Sequence, residues 1–146
     1  MEIYEVLKKD HKAVAEMFKK IEQTSERAQK GRKDLFATLR KQLLAHAKAE
    51  QEVLYAPLVE RVDERELVLE AFEEHRSIEL MFDEVGRCPV DDERWLAKLT
   101  VLREIVEHHV EEEEGELFKT ARKHFSKPEA EEIGERMQAR KAELLG

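Results

Sequence analysis

The second half of the chain repeats the first half at a nearly constant offset. A shift of 64 residues aligns DHKAVAEMFKKI, which begins at Asp10, with EHRSIELMFDEV, which begins at Glu74. A shift of 63 residues aligns HAKAEQEVLY, from His46, with HVEEEEGELF, from His109. In each segment apolar residues recur at intervals of three and four, the period of a helix with one buried face. The repeat therefore predicts two similar helical hairpins related by an approximate two-fold axis.

Four long helices and a short fifth one would account for this pattern. The chain has only five glycines and three prolines, and residues that favour helix over strand dominate it. We expect an all-α, up-down-up-down four-helix bundle over residues 3–124, with a short C-terminal fifth helix, in a single domain of residues 1–146. The predicted helices span about 3–28, 34–62, 63–86, 93–124 and 127–144.

Residues with capping or helix-breaking roles mark these predicted ends. Gly31 and Gly86 are expected to end the first and third helices, because glycine readily adopts the left-handed conformation that follows a helix. Pro57 should bend the last turns of the second helix. The residues expected to begin helices are Asp34, the capping-box pair Asp63 and Glu66, and Ser126 with Pro128 and Glu129.

The charge balance limits the partners of the chain. The formal net charge is -8 at pH 7 and the pI is about 5.4, so we expect no binding to nucleic acid or to an anionic membrane. The N-terminus is amphipathic without a long apolar run, which predicts neither a signal peptide nor a membrane span. The single cysteine, Cys88, cannot form an internal disulfide or a multi-thiolate metal site. We expect a cytoplasmic monomer or homodimer.

Each of the four long helices places one histidine on its apolar stripe. Two glutamates, Glu50 and Glu113, fall on the same stripes, four residues after a histidine. A carboxylate at a core position is costly unless it is paired or binds a metal, so six converging groups predict a metal site. Imidazole and carboxylate without thiolate suit iron, manganese or zinc, and two carboxylates can bridge two metals. The four stripe histidines are His11, His46, His75 and His109.

Other polar residues lie near these stripes. Glu79, four residues after His75, is either a further ligand or a solvated residue. His108 is turned about 100° from His109, so we expect it at the surface. Tyr4 and Tyr55 are expected to be ordinary core residues, with a pocket or redox role as the alternative. The residues expected to form a solvated face are Glu111, Glu112, Glu114 and Glu116.

A ferritin-like di-iron site is disfavoured by the spacing of these residues. Such sites use a Glu-x-x-His motif, in which the glutamate precedes the histidine by three residues. None of the six histidines has a glutamate at that position. The His-x-x-x-Glu order found here indicates a different arrangement of ligands.

At these positions the sequence resembles the hemerythrin-like, or His-His-Glu cation-binding, family of non-haem di-iron proteins. The likeness covers roughly residues 3–118 and rests on DH at 10–11, HAKAE at 46–50, EEH at 73–75 and HVEEE at 109–113 followed by GELF. It implies two iron ions, in preference to manganese or zinc, bridged by carboxylates and an oxo or hydroxo group. The implied metal ligands are His11, His46, Glu50, His75, Glu79, His109 and Glu113.

Glu79 is the point at which the chain departs from oxygen-carrying members of that family. Those proteins have a second histidine there, four residues after the first histidine of the third helix. A glutamate would either add a third carboxylate or leave one coordination position to water. Because an added anionic ligand favours ferric iron, the resemblance does not by itself predict reversible oxygen carriage.

Three classes of function remain open at this point. The first is a di-iron protein that binds dioxygen or nitric oxide for sensing, storage or protection. The second is a di-iron enzyme that decomposes hydrogen peroxide or reduces nitric oxide. The third is a structural or regulatory module that is stabilised by its metal. In the first two classes the partner is a small molecule.

Overall fold

The structure, a computed structural model, describes all residues from Met1 to Gly146 and contains only helices and their connections. Two π-helical turns, Gln51–Tyr55 and Glu113–Leu117, join α2 to α3 and α5 to α6, so that each pair forms one continuous rod. The all-α bundle with an additional C-terminal helix is therefore confirmed. The α-helices are α1 Ile3–Glu22, α2 Gln29–Glu50, α3 Ala56–Arg61, α4 Glu66–Arg87, α5 Trp95–Glu112, α6 Phe118–His124 and α7 Lys127–Leu145.

The helices pair as the repeat predicts. Helix α1 packs against α2, and α4 packs against α5, which gives the two hairpins. Helix α7 lies against α1 and α2 and covers one side of the bundle. Ser126 begins α7 with the predicted capping box, in which its side chain accepts from the backbone N–H of Glu129 and the Glu129 side chain accepts from the Ser126 backbone.

The apolar core is divided into two layers. One cluster of 19 buried residues contains the start of α1, the first π-helical turn and part of α7. A second cluster of 14 buried residues contains the end of α1, most of the apolar face of α2, and Trp95. The four long segments of the bundle are α1, the α2–α3 rod, α4 and the α5–α6 rod. In each of them the histidine on the apolar stripe lies between residues of the first cluster and residues of the second. The bundle therefore has a polar layer enclosed by two apolar layers.

The turn between α1 and α2 differs from the prediction. Helix α1 ends at Glu22, well before Ala28, and α2 begins at Gln29, so that neither Gly31 nor Asp34 lies at a helix end. The cause is Arg32, which is buried and donates hydrogen bonds to the carbonyl of Thr24 and to that of Val90. One bond is local and the other, to Val90, is long-range, and hydrophobic periodicity reveals neither of them.

The third helix ends within one residue of its predicted end, but the predicted caps are wrong. Helix α4 continues through Gly86 to Arg87, and Gly86 does not have a positive φ angle. Its small size instead lets Arg40 approach, because a Cβ atom at this position would lie 2.9 Å from the Arg40 Nη1 atom. The N-cap of α4 is Arg65 without a side-chain capping bond, so the predicted Asp63 capping box does not form.

The π-helical turn Gln51–Tyr55 occupies the place where a bend at Pro57 was predicted. The extra residue in this turn directs both Val53 and Leu54 into the core. Thr120 takes the place of Pro57 in the second repeat, yet the turn Glu113–Leu117 is also π-helical. Proline is therefore not required for this irregularity. None of the helices combines the length and the apolar character needed to cross a bilayer.

Candidate metal centre

The polar layer contains six of the seven predicted ligands. The four histidines come one from each long rod, and each is at most 7% exposed. Glu50 ends α2 and is fully buried, and Glu113 begins the second π-helical turn and is 1% exposed. These residues form two groups of four, within which the candidate ligand atoms lie no more than 4.8 Å apart. The first group is His11, His46, Glu50 and Glu113, and the second is His75, His109, Glu50 and Glu113.

The two glutamates belong to both groups and connect the two hairpins. The Oε1 atom of Glu50 lies 3.0 Å from Nε2 of His75 and 3.7 Å from Nε2 of His46. Glu113 approaches His11 Nε2 at 3.1 Å through Oε1 and His109 Nε2 at 3.5 Å through Oε2. Each carboxylate thus contacts a histidine of both hairpins, which is the arrangement that a ligand bridging two metal ions requires.

The outer nitrogen of every histidine has its own acceptor. Within each hairpin, His46 Nδ1 donates to Asp10 at 2.8 Å and His109 Nδ1 donates to Glu74 at 2.7 Å. Because Nδ1 carries the donated proton, the neutral ring presents the lone pair of Nε2 to the centre of the layer. Such bonds are the usual support of a histidine that binds a metal.

The other two histidines take their acceptors from the opposite hairpin. His11 Nδ1 donates to Glu114 at 2.7 Å, and His75 Nδ1 donates to the side-chain oxygen of Gln51 at 2.8 Å. Gln51 and Glu114 are equivalent positions of the repeat, as are Asp10 and Glu74. The prediction that Glu114 is merely solvated is therefore wrong. All four acceptors could have been found by asking which polar residues recur beside the repeated ligands.

Tyr55 also belongs to the site rather than only to the apolar core. Its hydroxyl donates a short hydrogen bond to Glu113, and it lies 3.2 Å from His109 Nε2 and 3.3 Å from His75 Nε2. The side chain is fully buried. The phenol oxygen is thus in contact with three of the four residues of the second group, where it can hold a proton or supply a further oxygen donor.

The two buried glutamates differ in charge. Burial and the neighbouring Glu113 carboxylate raise the pKa of Glu50 well above its usual value. Burial acts in the same direction on Glu113, but the neighbouring His109 and His11 rings outweigh it and hold the pKa of Glu113 well below its usual value. Without metal, Glu50 therefore keeps a proton while Glu113 remains ionised.

The histidines compensate this negative charge unequally. Burial disfavours the charged form of His109, but the Glu113 and Glu74 carboxylates overcome it and raise the pKa of His109 to about 9. Burial and the nearby His109 lower the pKa of His75 to about 3. His75 has only the neutral Gln51 as its Nδ1 partner. In the metal-free protein a proton on His109 thus takes the place of part of the metal charge.

Glu79 is the predicted ligand that the structure does not bring to the centre. Its side chain is exposed, and it belongs to neither donor group. Helix α4 turns Ile78, three positions after His75, into the core and leaves Glu79 at its outer edge. After His46 both the third and the fourth residue, Ala49 and Glu50, are buried, and after His109 the fourth residue, Glu113, is buried.

Several orphaned polar atoms support a cation in this layer. Both carboxylate oxygens of Glu50, Oε1 of Glu113 and Nε2 of His11 are buried without a hydrogen-bond partner. A buried polar atom without a partner costs about 1–3 kcal/mol, and here such atoms converge on one point. A cation between them would satisfy these atoms together. The residues present therefore fit a metal.

A small cavity adjoins the histidines on the side of the second apolar cluster. Its volume is about 20 Å³. It is enclosed by the rings of all four histidines and by aliphatic side chains that include Val14, Ile78 and Val106. That volume is enough for one water-sized molecule, and its walls are mostly apolar.

His108 lies outside this buried layer, as predicted. Its side chain is 66% exposed and approaches Glu112 at 3.2 Å and Glu74 at 3.9 Å. The three residues form a separate group whose candidate ligand atoms also lie within 4.8 Å of one another. Glu74 takes part in both places, since its other oxygen accepts from His109.

Two proteins with sequence or structural similarity can be compared with this chain. It is 28% identical over 144 residues to a protein of Nostoc sp. (strain PCC 7120) that is described as a DNA nickase, and the aligned region is 99% of this chain. The chain spans only 40% of the length of that relative. A crystal structure of a hemerythrin HHE cation binding domain-containing protein from Mycobacterium kansasii superposes with a TM-score of 0.87 at 26% identity, and covers 100% of this chain and 88% of the other.

The family itself is shown by a match along nearly the whole bundle. The sequence profile of the hemerythrin HHE cation binding domain matches residues 2–121, which include all four buried histidines and both buried glutamates. This agrees with the buried His and Glu groups and confirms the resemblance noted in the sequence. The chain belongs to the hemerythrin HHE cation-binding domain family.

Proposed function

We propose that this protein holds two iron ions in the buried layer and binds dioxygen or nitric oxide beside them, for sensing, storage or protection. The observation that carries the proposal is the convergence of partnerless carboxylate and imidazole atoms beside a small apolar cavity. The residues that would hold the two ions are His11, His46, Glu50, His75, His109 and Glu113. When bound, reduced iron supplies the electrons that a diatomic ligand accepts.

The surrounding residues prepare this layer for metal in three ways. The four Nδ1 acceptors fix the tautomer and orientation of each ring. The two apolar clusters exclude water, which would otherwise compete for open positions and promote oxidation. The aliphatic wall of the cavity favours an uncharged diatomic molecule over an anion, because a buried unpaired charge is costly. Together these features support a gas ligand.

Tyr55 supports a second candidate function, an enzyme that decomposes hydrogen peroxide or reduces nitric oxide. Burial and the Glu50 and Glu113 carboxylates raise the pKa of Tyr55 well above its usual value, so its hydroxyl keeps the proton that it donates to Glu113. A proton held there could be delivered to a ligand reduced in the second donor group. Glu79 does not favour this candidate, because its side chain is exposed.

DNA nicking, the activity named for the Nostoc relative, has weaker support. This chain corresponds to 40% of that protein, and its net charge of -8 disfavours contact with phosphates. We propose no nucleic-acid partner. A purely structural role for the metal is tested by stability, since an apo form as stable as the loaded form would exclude it.

The first experiment measures metal content and ligand identity. We expect about two irons per chain after purification from iron-replete cells, as the two donor groups require. His109→Ala should lower this content, whereas His108→Ala, which removes the exposed neighbouring imidazole, should leave it unchanged. Wild-type protein without iron, or equal loss in both variants, would refute the di-iron proposal.

A second experiment separates gas binding from catalysis. The reduced protein is exposed to air while its ultraviolet-visible spectrum is recorded, and oxygen is then removed. A charge-transfer band that appears and reverses supports a gas-binding protein. Immediate oxidation without such a band, together with rapid oxygen evolution from peroxide that Tyr55→Phe abolishes, would instead establish the enzymatic candidate.

A further inference from the structure

A wide surface depression lies between α4 and α5 and is strongly acidic. It is an open groove of about 840 Å³, lined by six glutamates and by no lysine or arginine. Like charges are costly to place together unless a cation compensates them. The glutamates are Glu66, Glu70, Glu73, Glu74, Glu104 and Glu112.

Three residues of this groove have the composition of a metal site. His108 Nε2 lies 3.2 Å from Glu112 Oε1 and 3.9 Å from Glu74 Oε2, and the three candidate ligand atoms lie within 4.8 Å of one another. One imidazole and two carboxylates suit the same divalent metals as the buried layer. Only three protein donors are present and all are accessible, so water would complete the coordination and a bound ion could exchange.

A small cavity lies directly behind this group. Its volume is about 10 Å³, and Glu74 and Glu112 line it as well as the groove. On its inner side it is lined by His109 and Glu113. Glu113 is 1% exposed, and its Oε1 atom has no hydrogen-bond partner. The cavity thus lies between the exposed group and two buried residues of the polar layer.

We propose that Glu74, His108 and Glu112 form an exposed cation site that captures a divalent metal from solution and passes it inward to Glu113 and His109. This inference depends on the proposed function, because the ion must have a buried destination. Glu74 links the two sites, since one of its oxygens faces His108 and the other accepts the hydrogen bond from His109. The step moves one cation between oxygen and nitrogen donors and involves no change of oxidation state.

The rate of metal loading tests the proposal. Metal-free full-length protein is mixed with Co²⁺ in a stopped-flow instrument, and uptake is followed by visible absorbance. Glu112→Gln and His108→Gln should each slow loading at least about five-fold, the lower end of what local charge does to association rates, with an unchanged final metal content. The matched control is Glu70→Gln, which removes the same charge from the same groove outside the three-residue group and should load at nearly the wild-type rate.

The outcomes distinguish this inference from the function on which it rests. Loading of both variants at the wild-type rate, or equal slowing by Glu70→Gln, would overturn the capture site while leaving the buried site intact. Failure of wild-type protein to take up Co²⁺ would instead contradict the proposed function. A direct check uses Glu50→Ala, which removes a ligand shared by both buried donor groups. Electron paramagnetic resonance should still detect one weakly bound Mn²⁺ in this variant. Adding the second substitution, Glu112→Gln, should remove that ion. Absence of that ion would also overturn the inference.

Discussion

The metal-free protein should lose stability as the pH rises above neutrality, because His109 is protonated in the folded state. Its pKa rises from 6.5 to about 9. A group whose pKa is raised by folding stabilises the folded state fully below its unfolded pKa, and that contribution disappears as the pH rises through the folded pKa. At about 1.4 kcal/mol per pKa unit, the shift from 6.5 to about 9 corresponds to about 3 kcal/mol lost across this range.

The other buried groups strengthen this trend or leave it unchanged. Despite burial, Glu113 and Glu114 raise the pKa of His11, and burial raises that of Glu50, so both groups also lose stabilising protons as the pH rises. Burial lowers the pKa of His46 and, most strongly, that of His75, to about 3. Those two histidines reduce stability only when the pH falls below their unfolded value of 6.5. The decline between pH 6.5 and 9 is therefore not offset.

Denaturation of chelator-treated protein measures the effect. We expect the free energy of unfolding in urea to fall by about 3 kcal/mol from pH 6.5 to 9, equivalent to roughly 6–12 °C in Tm for a domain of this size. His109→Gln should remove most of this dependence, whereas His108→Gln should retain it. Iron-loaded protein should show the opposite slope, since the metal must displace the proton from His109. A flat profile of the metal-free protein, or an unchanged slope in His109→Gln, would refute the reasoning.

Three further substitutions test individual contacts. Asp10→Asn weakens the acceptor of a ligand histidine and should lower metal affinity about 10–100-fold in a chelator competition, and wild-type affinity would contradict that role. Glu50→Leu should abolish metal binding yet raise the free energy of unfolding of the metal-free protein by about 1–3 kcal/mol in urea denaturation. The control Glu79→Leu, at an exposed position, should change that free energy by less than about 0.5 kcal/mol. Destabilisation by Glu50→Leu would contradict the argument. Gly134→Ala should lower the free energy of unfolding by about 1–3 kcal/mol, because its Cβ would meet backbone atoms of the N-terminal residues. Gly115→Ala, which has open space around the new Cβ, should instead raise it by up to about 1 kcal/mol. Thermal denaturation measures both changes.

The sequence predicts the buried layer well because burial and chemistry repeat together. An imidazole on an apolar stripe in each of four helices is informative in a way that one histidine is not. The stripe alone does not separate Glu79 from Glu50, because the residues three and four positions after His46, Ala49 and Glu50, are both buried. After His75 the third residue, Ile78, is buried and the fourth, Glu79, is exposed. That difference becomes visible only in the packed bundle.

The remaining differences arise from contacts between distant parts of the chain. The buried Arg32 fixes the turn after α1 through the Val90 carbonyl, 58 residues away, and no local pattern contains that bond. One π-helical turn follows Glu50 and the other begins at Glu113, without a shared proline, so local sequence gives no simple signal for them. Tyr55 reaches the site from the first of these turns. Periodicity therefore predicts which faces are buried but not where a helix widens by one residue.

The exchange of acceptors between hairpins carries a consequence for the origin of the chain. His11 uses Glu114 and His75 uses Gln51, while each shared glutamate contacts both halves, so neither hairpin contains a complete donor group. Two copies of a single ancestral hairpin, associating about a two-fold axis, would assemble the same ring of ligands. Duplication and fusion of such a gene would then free each half to mutate alone. The neutral Gln51, which stands where the second repeat has Glu114, is a difference that two identical hairpins could not keep on one side.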